Sequence, residues 1–314
     1  VAALVRECRE DARAALLSLG DRALNVVDAS LSDPSLPRAV GRHLPHTIAH
    51  LGGPPAARIL ERQLLLEMDE VVELKIVRAL GRMRIADPEL QVDQPALLEE
   101  ARAALDRAVT LLSWQVASDH LRRATPERSS AAREMLMALL VDKEASSIER
   151  AFRILQIIDP SEDFDVILAG LRSDDARRRE NGRELLSHIV PEPLRGGLLA
   201  LLADGTPAVR LHDAQRFRHP DTRGRATRPS ARPGAAPLSD RSIARTDPEP
   251  ADVEYLRDML VDPSDAVRGV AGYWIAELGL GNFELELELG AGVPAPTGAL
   301  AELSESVQPW KGIP

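Results

Sequence analysis

The chain has 314 residues, and its 39 Lys and Arg against 49 Asp and Glu give a formal net charge of −10. This acidic balance argues against a general binder of nucleic acids or anionic membranes. Hydrophobic residues make up 44% of the sequence and aromatic residues 3%, which allows a large core but disfavours a β-sandwich or barrel. The single cysteine, Cys8, excludes an internal disulfide bond and a structural zinc site built on cysteines.

The first residues of the chain do not resemble a targeting segment. Charges at Arg6, Glu7 and Arg9 interrupt the apolar stretch that a signal peptide requires. No apolar run elsewhere approaches the roughly 18–20 residues needed to cross a bilayer. The chain begins with Val rather than Met, which suggests a processed product or part of a longer polypeptide. We therefore expect a cytoplasmic protein with no direct insertion into a membrane.

Helical periodicity dominates the sequence. Apolar residues recur at helical spacing, for example at Val72, Ile76 and Leu80. Asp-Pro dipeptides, the last at 262–263, predict helix boundaries because proline disfavours the helical conformation in the residue before it. The longest predicted helix, near 94–123, would span about 45 Å. The predicted helices lie near residues 2–18, 22–31, 36–51, 55–67, 70–84, 94–123, 127–141, 144–158, 162–172, 175–190, 192–203, 206–217, 251–261 and 264–278.

Two stretches lack this helical period. Residues 218–250 are rich in Pro, Gly, Ser and Arg, which predicts one disordered insertion between neighbouring helices. Its seven arginines make it locally basic; we expect an unselected flexible loop, with a tether for an anionic partner as the alternative. Residues 283–289 alternate between apolar and acidic types as a half-buried strand would, but they stand alone. An extended tail over 281–314 is therefore the prediction.

A short motif recurs at the start of several predicted helices. Asp262-Pro-Ser-Asp-Ala-Val-Arg268 and Asp204-Gly-Thr-Pro-Ala-Val-Arg210 each place an acid six residues before a base. Asp69 to Lys75 has the same form, and Ser173 to Arg179 is a degenerate copy. Taking Asp33 as a further start, the starts at 33 and 69 lie 36 residues apart and those at 173 and 204 lie 31 apart, within the range of solenoid repeats. We expect the acid to cap a helix or close a turn, and the base to reach an acid in its own repeat or the next.

This pattern resembles the HEAT-repeat family, in which a helix, a turn with Asp and often Pro, and a second helix beginning Val-Arg form one unit. The resemblance is best at 262–278. It implies an all-α fold, an α-α superhelix of about six helical hairpins. HEAT-like repeats would cover residues 1–217, and a final repeat would cover 251–280 beyond the insertion. Such a solenoid leaves a long curved surface made from one helix of each hairpin.

Three histidines raise the question of a metal site. His43, His46 and His50 share one face of the predicted helix 36–51, a spacing that can offer imidazoles to a metal. No cysteine or carboxylate lies within that helix to complete a site, and Pro45 distorts it. Packed or surface histidines, and no metal, are therefore expected.

Signatures of catalysis are absent from the sequence. It contains no nucleophile elbow, no Gly-rich phosphate loop before Lys and no dinucleotide fingerprint. We therefore predict no catalytic residue, no enzyme activity and no cofactor.

The leading functional hypothesis is a non-catalytic scaffold that binds another protein and not nucleic acid. Specificity would lie in polar residues that helical phase places on the outside of the second helix of a repeat. For the run of arginines at 177–179, a solvated face held by salt bridges is the alternative interpretation. The candidate binding residues are Glu73, Arg78, Arg82, Arg178, Arg179 and Arg183.

Two other functions stay open. Residues 42–48 and 73–82 resemble the HEAT region that follows a nucleotide-transporter-like membrane domain in some bacterial chains. That resemblance implies a cytoplasmic regulatory module tethered through a missing N-terminal membrane domain. The other alternative is an enzyme of HEAT-like fold, such as a bilin lyase or a DNA glycosylase. The net charge of −10 disfavours the glycosylase, and the lack of any His-Glu dipeptide disfavours the iron enzymes of this fold.

Overall fold

A computed structural model describes residues 9–31, 33, 36–66, 69–124, 130–218 and 251–278. All regular secondary structure in these ranges is helical, which confirms the predicted all-α class. The helices are α1 (Arg9–Ser18), α2 (Asp21–Leu31), α3 (Arg38–Gly41), α4 (Leu44–Leu51), α5 (Gly53–Leu66), α6 (Glu70–Ala86), α7 (Gln94–Ala124), α8 (Ala131–Ile158), α9 (Phe164–Leu171), α10 (Ala176–Ile189), α11 (Leu194–Leu201), α12 (Pro207–Ala214), α13 (Ala251–Leu260) and α14 (Asp265–Glu277).

The chain divides after Trp274 into two units. Of the second unit, residues 275–278 are described and form the end of α14 and the turn that follows it. The predicted insertion over 218–250, apart from Arg218, and the predicted tail over 281–314 lie outside the described residues. Within the described ranges, no helix combines the length and the apolar character that a bilayer span requires.

Three predicted helices differ from the structure. The predicted helix 36–51 is two helices, α3 and α4, because the chain turns at Arg42 and His43 and resumes with Pro45 in the first turn of α4. Proline fits that position, since the first amides of a helix have no partner within it. In contrast, the predicted helices 127–141 and 144–158 form the single helix α8. The junction contains no Pro or Gly to end it, and it buries Leu140 and Glu144 against neighbouring helices.

Side-chain caps fix where several helices begin. Asp69 accepts hydrogen bonds from the amides of Val71 and Val72 and caps α6, as predicted for the acid of the repeated motif. In the copy that begins at Asp204, however, Thr206 caps α12 instead. Asp204 precedes the helix by too many residues to reach its first amides. Caps that accept a backbone amide include Asp69, Asp93, Ser130, Asp163, Asp175 and Thr206.

The two longest helices, α7 and α8, pack as an antiparallel pair. Gln115 of α7 donates to Glu144 of α8 at 2.7 Å, and Arg133 of α8 donates to Asp119 of α7 at 2.9 Å. Helix α6 packs on α8, and α4 and α5 pack on α6. Helix α9 also packs on α8, and α10 packs on α9. One continuous apolar cluster joins these helices from α1 to α12.

Helices α11 and α12 form a hairpin that contacts α7 as well as its neighbour α10. Gly197 of α11 lies directly against Leu105 of α7, where any side chain on the glycine would collide with the leucine. A solenoid in which each hairpin contacts only its neighbours would lack this packing. The first unit therefore contains contacts between hairpins that are distant in sequence.

Candidate functional site

The structure places two of the predicted binding residues in contacts between helices. Glu73 of α6 pairs with Arg150 of α8, and the Glu73 side chain is only 12% exposed. Arg179 of α10 pairs with Asp204 at 3.3 Å and donates to the carbonyl oxygen of Ser173 at 2.8 Å. Glu73 and Arg179 therefore hold neighbouring elements together and do not form an open surface.

Two more predicted residues lie on the outside of α10. The Arg178 side chain is 76% exposed and approaches Asp175 at 4.0 Å. Arg183 is partly exposed and pairs with Glu180 at 3.5 Å. Exposed pairs of this kind contribute at most about 1 kcal/mol to stability. Arg178 and Arg183 therefore lie on an exposed face of α10 that carries weak salt bridges and is accessible to a partner.

The last two predicted residues, Arg78 and Arg82, line a cleft formed by α1, the turn between α3 and α4, α4 and α6. The cleft encloses about 310 Å³. Of its lining residues in the described part of the chain, five are Lys or Arg, two are His and none is acidic. We call it the basic cleft, and its lining residues are Arg13, Arg42, His43, His46, Lys75, Arg78 and Arg82.

Helix α6 supplies one wall of the basic cleft. Lys75, Arg78 and Arg82 are three and four residues apart, so they follow one another along the same side of the helix. The remaining faces of α6 are anchored by apolar packing, which fixes the direction of the basic side. Its buried residues are Val72, Ile76, Val77, Ala79, Leu80 and Met83.

The opposite wall depends on the break between α3 and α4. Arg42 and His43 lie in the turn, and His46 follows one helical turn later in α4. Leu44 and Ile48 of α4 are fully buried and hold this segment against the core. Because 36–51 was predicted as one helix, the sequence did not indicate that this turn would face α6.

The carboxylate of Asp69 approaches the basic cleft at the start of α6. It lies 3.8 Å from the guanidinium of Arg42. The same carboxylate accepts the amide hydrogens of Val71 and Val72, at 2.9 and 3.3 Å. Asp69 therefore contacts both an arginine of the cleft and the start of α6.

Three nitrogen atoms of the basic cleft are buried and have no hydrogen-bond partner among the described residues. They are Nε of Arg13, Nε of Arg42 and Nδ1 of His46. Buried polar atoms in folded proteins are almost always paired with protein groups or water. Two of these three atoms are N–H donors of cationic groups, which favours an acceptor with negative charge in the cleft.

The electrostatics of His46 show how positive the cleft is. Burial, together with repulsion from the nearby His50, Arg13, Arg82 and His43, lowers the pKa of His46 to about 4. The His46 and His50 rings lie 4.2 Å apart. Among the described residues, no group of three His, Cys, Asp or Glu side chains is placed to hold a metal ion. His46 instead belongs to a cluster that disfavours positive charge on its own ring.

Sequence reasoning found Arg78 and Arg82 but missed the other cations of the cleft. Lys75 was detectable, because it continues the spacing of Arg78 and Arg82 along α6. Arg13 and Arg42 lie 65 and 36 residues before Arg78, and only the packing of α1 on α4 and of α4 on α6 brings them together.

Comparisons with known proteins found no matching family model, no matching curated protein and no matching solved structure. Function has therefore to be inferred from the chemistry of the basic cleft and from the packing of the helices.

Proposed function

We propose that this chain is a non-catalytic scaffold of HEAT-like helical hairpins, an α-α superhelix, that binds another protein in the cytoplasm. The main support is the repeated role of the base in the recurring motif. Arg179 donates to the carbonyl oxygen of Ser173 at 2.8 Å, and Arg210 donates to that of Leu201 at 2.8 Å. Arg268 donates in the same way to the first residue of its own motif copy.

These carbonyl contacts have a common physical reason. The last carbonyl groups of a helix, and those of the turn after it, lack partners within the helix. An arginine in the first turns of the next helix can reach back and bind them, which closes the helical hairpin. Three copies of the motif use their base in this way, which is expected of a structural repeat and not of separate surface arginines.

One pair also joins successive motif copies. Arg179 belongs to the copy that begins at Ser173, and Asp204 begins the next copy; their side chains lie 3.3 Å apart. Asp204 is 72% exposed, so the pair adds little stability. Its value is positional, because it aligns the α9–α10 hairpin with the α11–α12 hairpin. This link is one of the two that the sequence allowed for the base, which could reach an acid in its own repeat or in the next.

The outer side of α10 is the proposed partner-binding surface. Of its fourteen residues, only Gly182 and Leu186 are buried. Arg178 and Leu185 are seven residues apart and therefore lie on the same side of the helix, with exposed side chains. Solenoids bind partners through the open face of one helix in each hairpin, and arginine is enriched at protein interfaces.

Quantitative comparison of proteins captured from a lysate tests the scaffold. The baits are the wild-type chain, the double variant Arg178→Glu/Leu185→Asp, and the control Val166→Asp, which changes an exposed valine on α9, the other helix of the same hairpin. We expect a partner that wild type and control retain and the double variant loses, and that binds the purified chain directly. Identical protein sets for all three baits would argue against this surface. A compact, spherical solution scattering profile would argue against the superhelix.

A further inference from the structure

We propose that the basic cleft binds a compact oligophosphate, meaning two or more linked phosphate groups, either free or as the phosphate chain of a nucleotide. This site lies on α1, α4 and α6 and is separate from the proposed partner surface on α10. The two proposals therefore succeed or fail independently.

The concentration of charge is the first argument. Five cationic side chains line a volume of about 310 Å³, in a chain whose formal net charge is −10. Like charges near a protein surface repel by up to a few kcal/mol per pair at contact distance. Folding brings these cations together from three separate parts of the chain, so an anion between them would relieve the repulsion. The volume is also within the range of small-molecule sites.

The donor groups favour phosphate oxygens. Four of the five cations are arginines, whose planar guanidinium groups bind phosphate with two parallel hydrogen bonds. The unpaired Nε atoms of Arg13 and Arg42 lie on different elements, α1 and the turn before α4. A ligand with several oxygen atoms in more than one direction can accept from both walls, whereas a single carboxylate has only two oxygens.

The density of positive charge in the cleft favours linked phosphates over an acidic peptide. Side chains three or four residues apart on a helix lie about 5–6 Å apart, which applies to Lys75, Arg78 and Arg82. Along an extended peptide, acidic side chains on one face are separated by about 6.6 Å and carry one charge each. Linked phosphates carry more charge over a shorter length. A long nucleic acid would also extend beyond the cleft onto the acidic remainder of the surface.

An anion in the cleft would also change the titration of His46. The groups that face it are His50 and His43 on its own segment, Arg13 on α1 and Arg82 on α6. A bound oligophosphate opposes their repulsion and so raises the pKa of His46 from about 4. The bound form of His46 therefore takes up a proton more readily than the free form.

Calorimetric titration of the full chain with tripolyphosphate, ATP and inorganic phosphate tests the proposal. At physiological salt, we expect tripolyphosphate or ATP to bind at least tenfold more tightly than inorganic phosphate. The variant Arg78→Glu/Arg82→Glu should weaken that binding at least tenfold. Equal affinity for tripolyphosphate and ATP indicates that the cleft recognises the phosphate chain alone. Tighter binding of ATP identifies a nucleotide as the ligand. Tighter binding of tripolyphosphate identifies a free oligophosphate as the ligand.

The control is Arg178→Glu/Arg183→Glu, which makes the same charge change on α10. An equal loss of affinity in this control would show diffuse attraction and overturn the proposal, as would the absence of oligophosphate binding. Tighter binding of a poly-glutamate peptide than of tripolyphosphate would overturn it in favour of an acidic protein segment. If circular dichroism shows that the reversed-charge variant does not fold, Arg78→Gln/Arg82→Gln makes the same test, and unchanged affinity in that variant contradicts the proposal.

Discussion

Arg107 of α7 binds Asp262, which lies 155 residues later in the turn between α13 and α14. One guanidinium nitrogen donates to Oδ1 of Asp262 at 2.8 Å, and the other donates to Oδ2. The Asp262 side chain is 1% exposed. This two-point ion pair therefore joins the predicted final repeat to the longest helix of the chain, across the whole of the 218–250 segment.

Removing this pair should destabilise the protein more than removing an exposed one. The variant Arg107→Ala leaves a buried carboxylate without its cation, so we expect the free energy of unfolding to fall by about 3–5 kcal/mol. Urea denaturation of the full chain measures the change. The control Arg122→Ala removes a 47% exposed arginine from the same helix, and its effect should stay below about 1 kcal/mol. Equal losses in the two variants would contradict the assignment.

Acid should weaken the contact between α6 and α8 through Glu70. Burial alone would raise the pKa of Glu70, but the hydrogen bond and charge of Lys143, together with Arg107 and Arg150, lower it below the usual 4.5. A carboxyl with a lowered folded-state pKa stabilises the fold above pH 4.5 and loses that contribution as pH falls through the lowered value.

The variant Glu70→Gln tests this pH dependence. It should be less stable than wild type at pH 7, and the difference should shrink below pH 4.5 as wild-type Glu70 becomes neutral. Urea denaturation at several pH values gives both curves. If wild type and Glu70→Gln differ in the free energy of unfolding by the same amount at pH 7 and below pH 4.5, the role of the ionised carboxylate is contradicted.

The α9–α10 hairpin should not tolerate a side chain at Gly182. A Cβ atom there would lie 3.1 Å from Cγ of Leu171, 3.2 Å from its backbone nitrogen and 3.3 Å from the carbonyl oxygen of Ile167. Alanine favours a helix by about 1 kcal/mol over glycine, but crowding against backbone atoms typically destabilises by about 1–3 kcal/mol. We therefore expect Gly182→Ala to lower the melting temperature.

Gly269 provides a matched control for that substitution. It lies inside α14, and an added Cβ there has no described atom within 4 Å. Gly269→Ala should therefore raise stability by up to about 1 kcal/mol through helix propensity alone. The same glycine-to-alanine substitution is therefore expected to lower the stability at position 182 and to raise it at position 269. Stabilisation by both variants would show that α9 can move aside.

The repeated base should matter more to stability than its exposed neighbour. Arg179 donates to the carbonyl oxygens of Ser173 and Asp174, each at 2.8 Å, and pairs with Asp204. We expect Arg179→Ala to cost about 1–2 kcal/mol, because hydrogen bonds from a charged donor are lost. Arg178→Ala should change stability by less than about 0.5 kcal/mol. Thermal unfolding of the two variants compares them directly, and the reverse order would contradict the role proposed for the motif.

The sequence by itself determined the helical class and most of the helix boundaries. Apolar periodicity, Asp-Pro dipeptides and capping residues act over a few positions, so they are readable without knowledge of the fold. Helix α7 is observed over Gln94–Ala124 against a prediction of 94–123. The link between Arg179 and Asp204 was also predictable, because both residues belong to adjacent copies of one motif.

Tertiary structure decided which helices meet and which charges face one another. The two helices predicted over 127–158 form the single helix α8. Helix α11 packs closely on α7 because Gly197 has no side chain to collide with Leu105. Arg13 and Arg42 join the cations of α6 only through the packing of α1 and α4. Local sequence patterns report the face that a helix buries. They do not report the partner that covers that face, because that choice depends on the combined packing of residues distant in the chain.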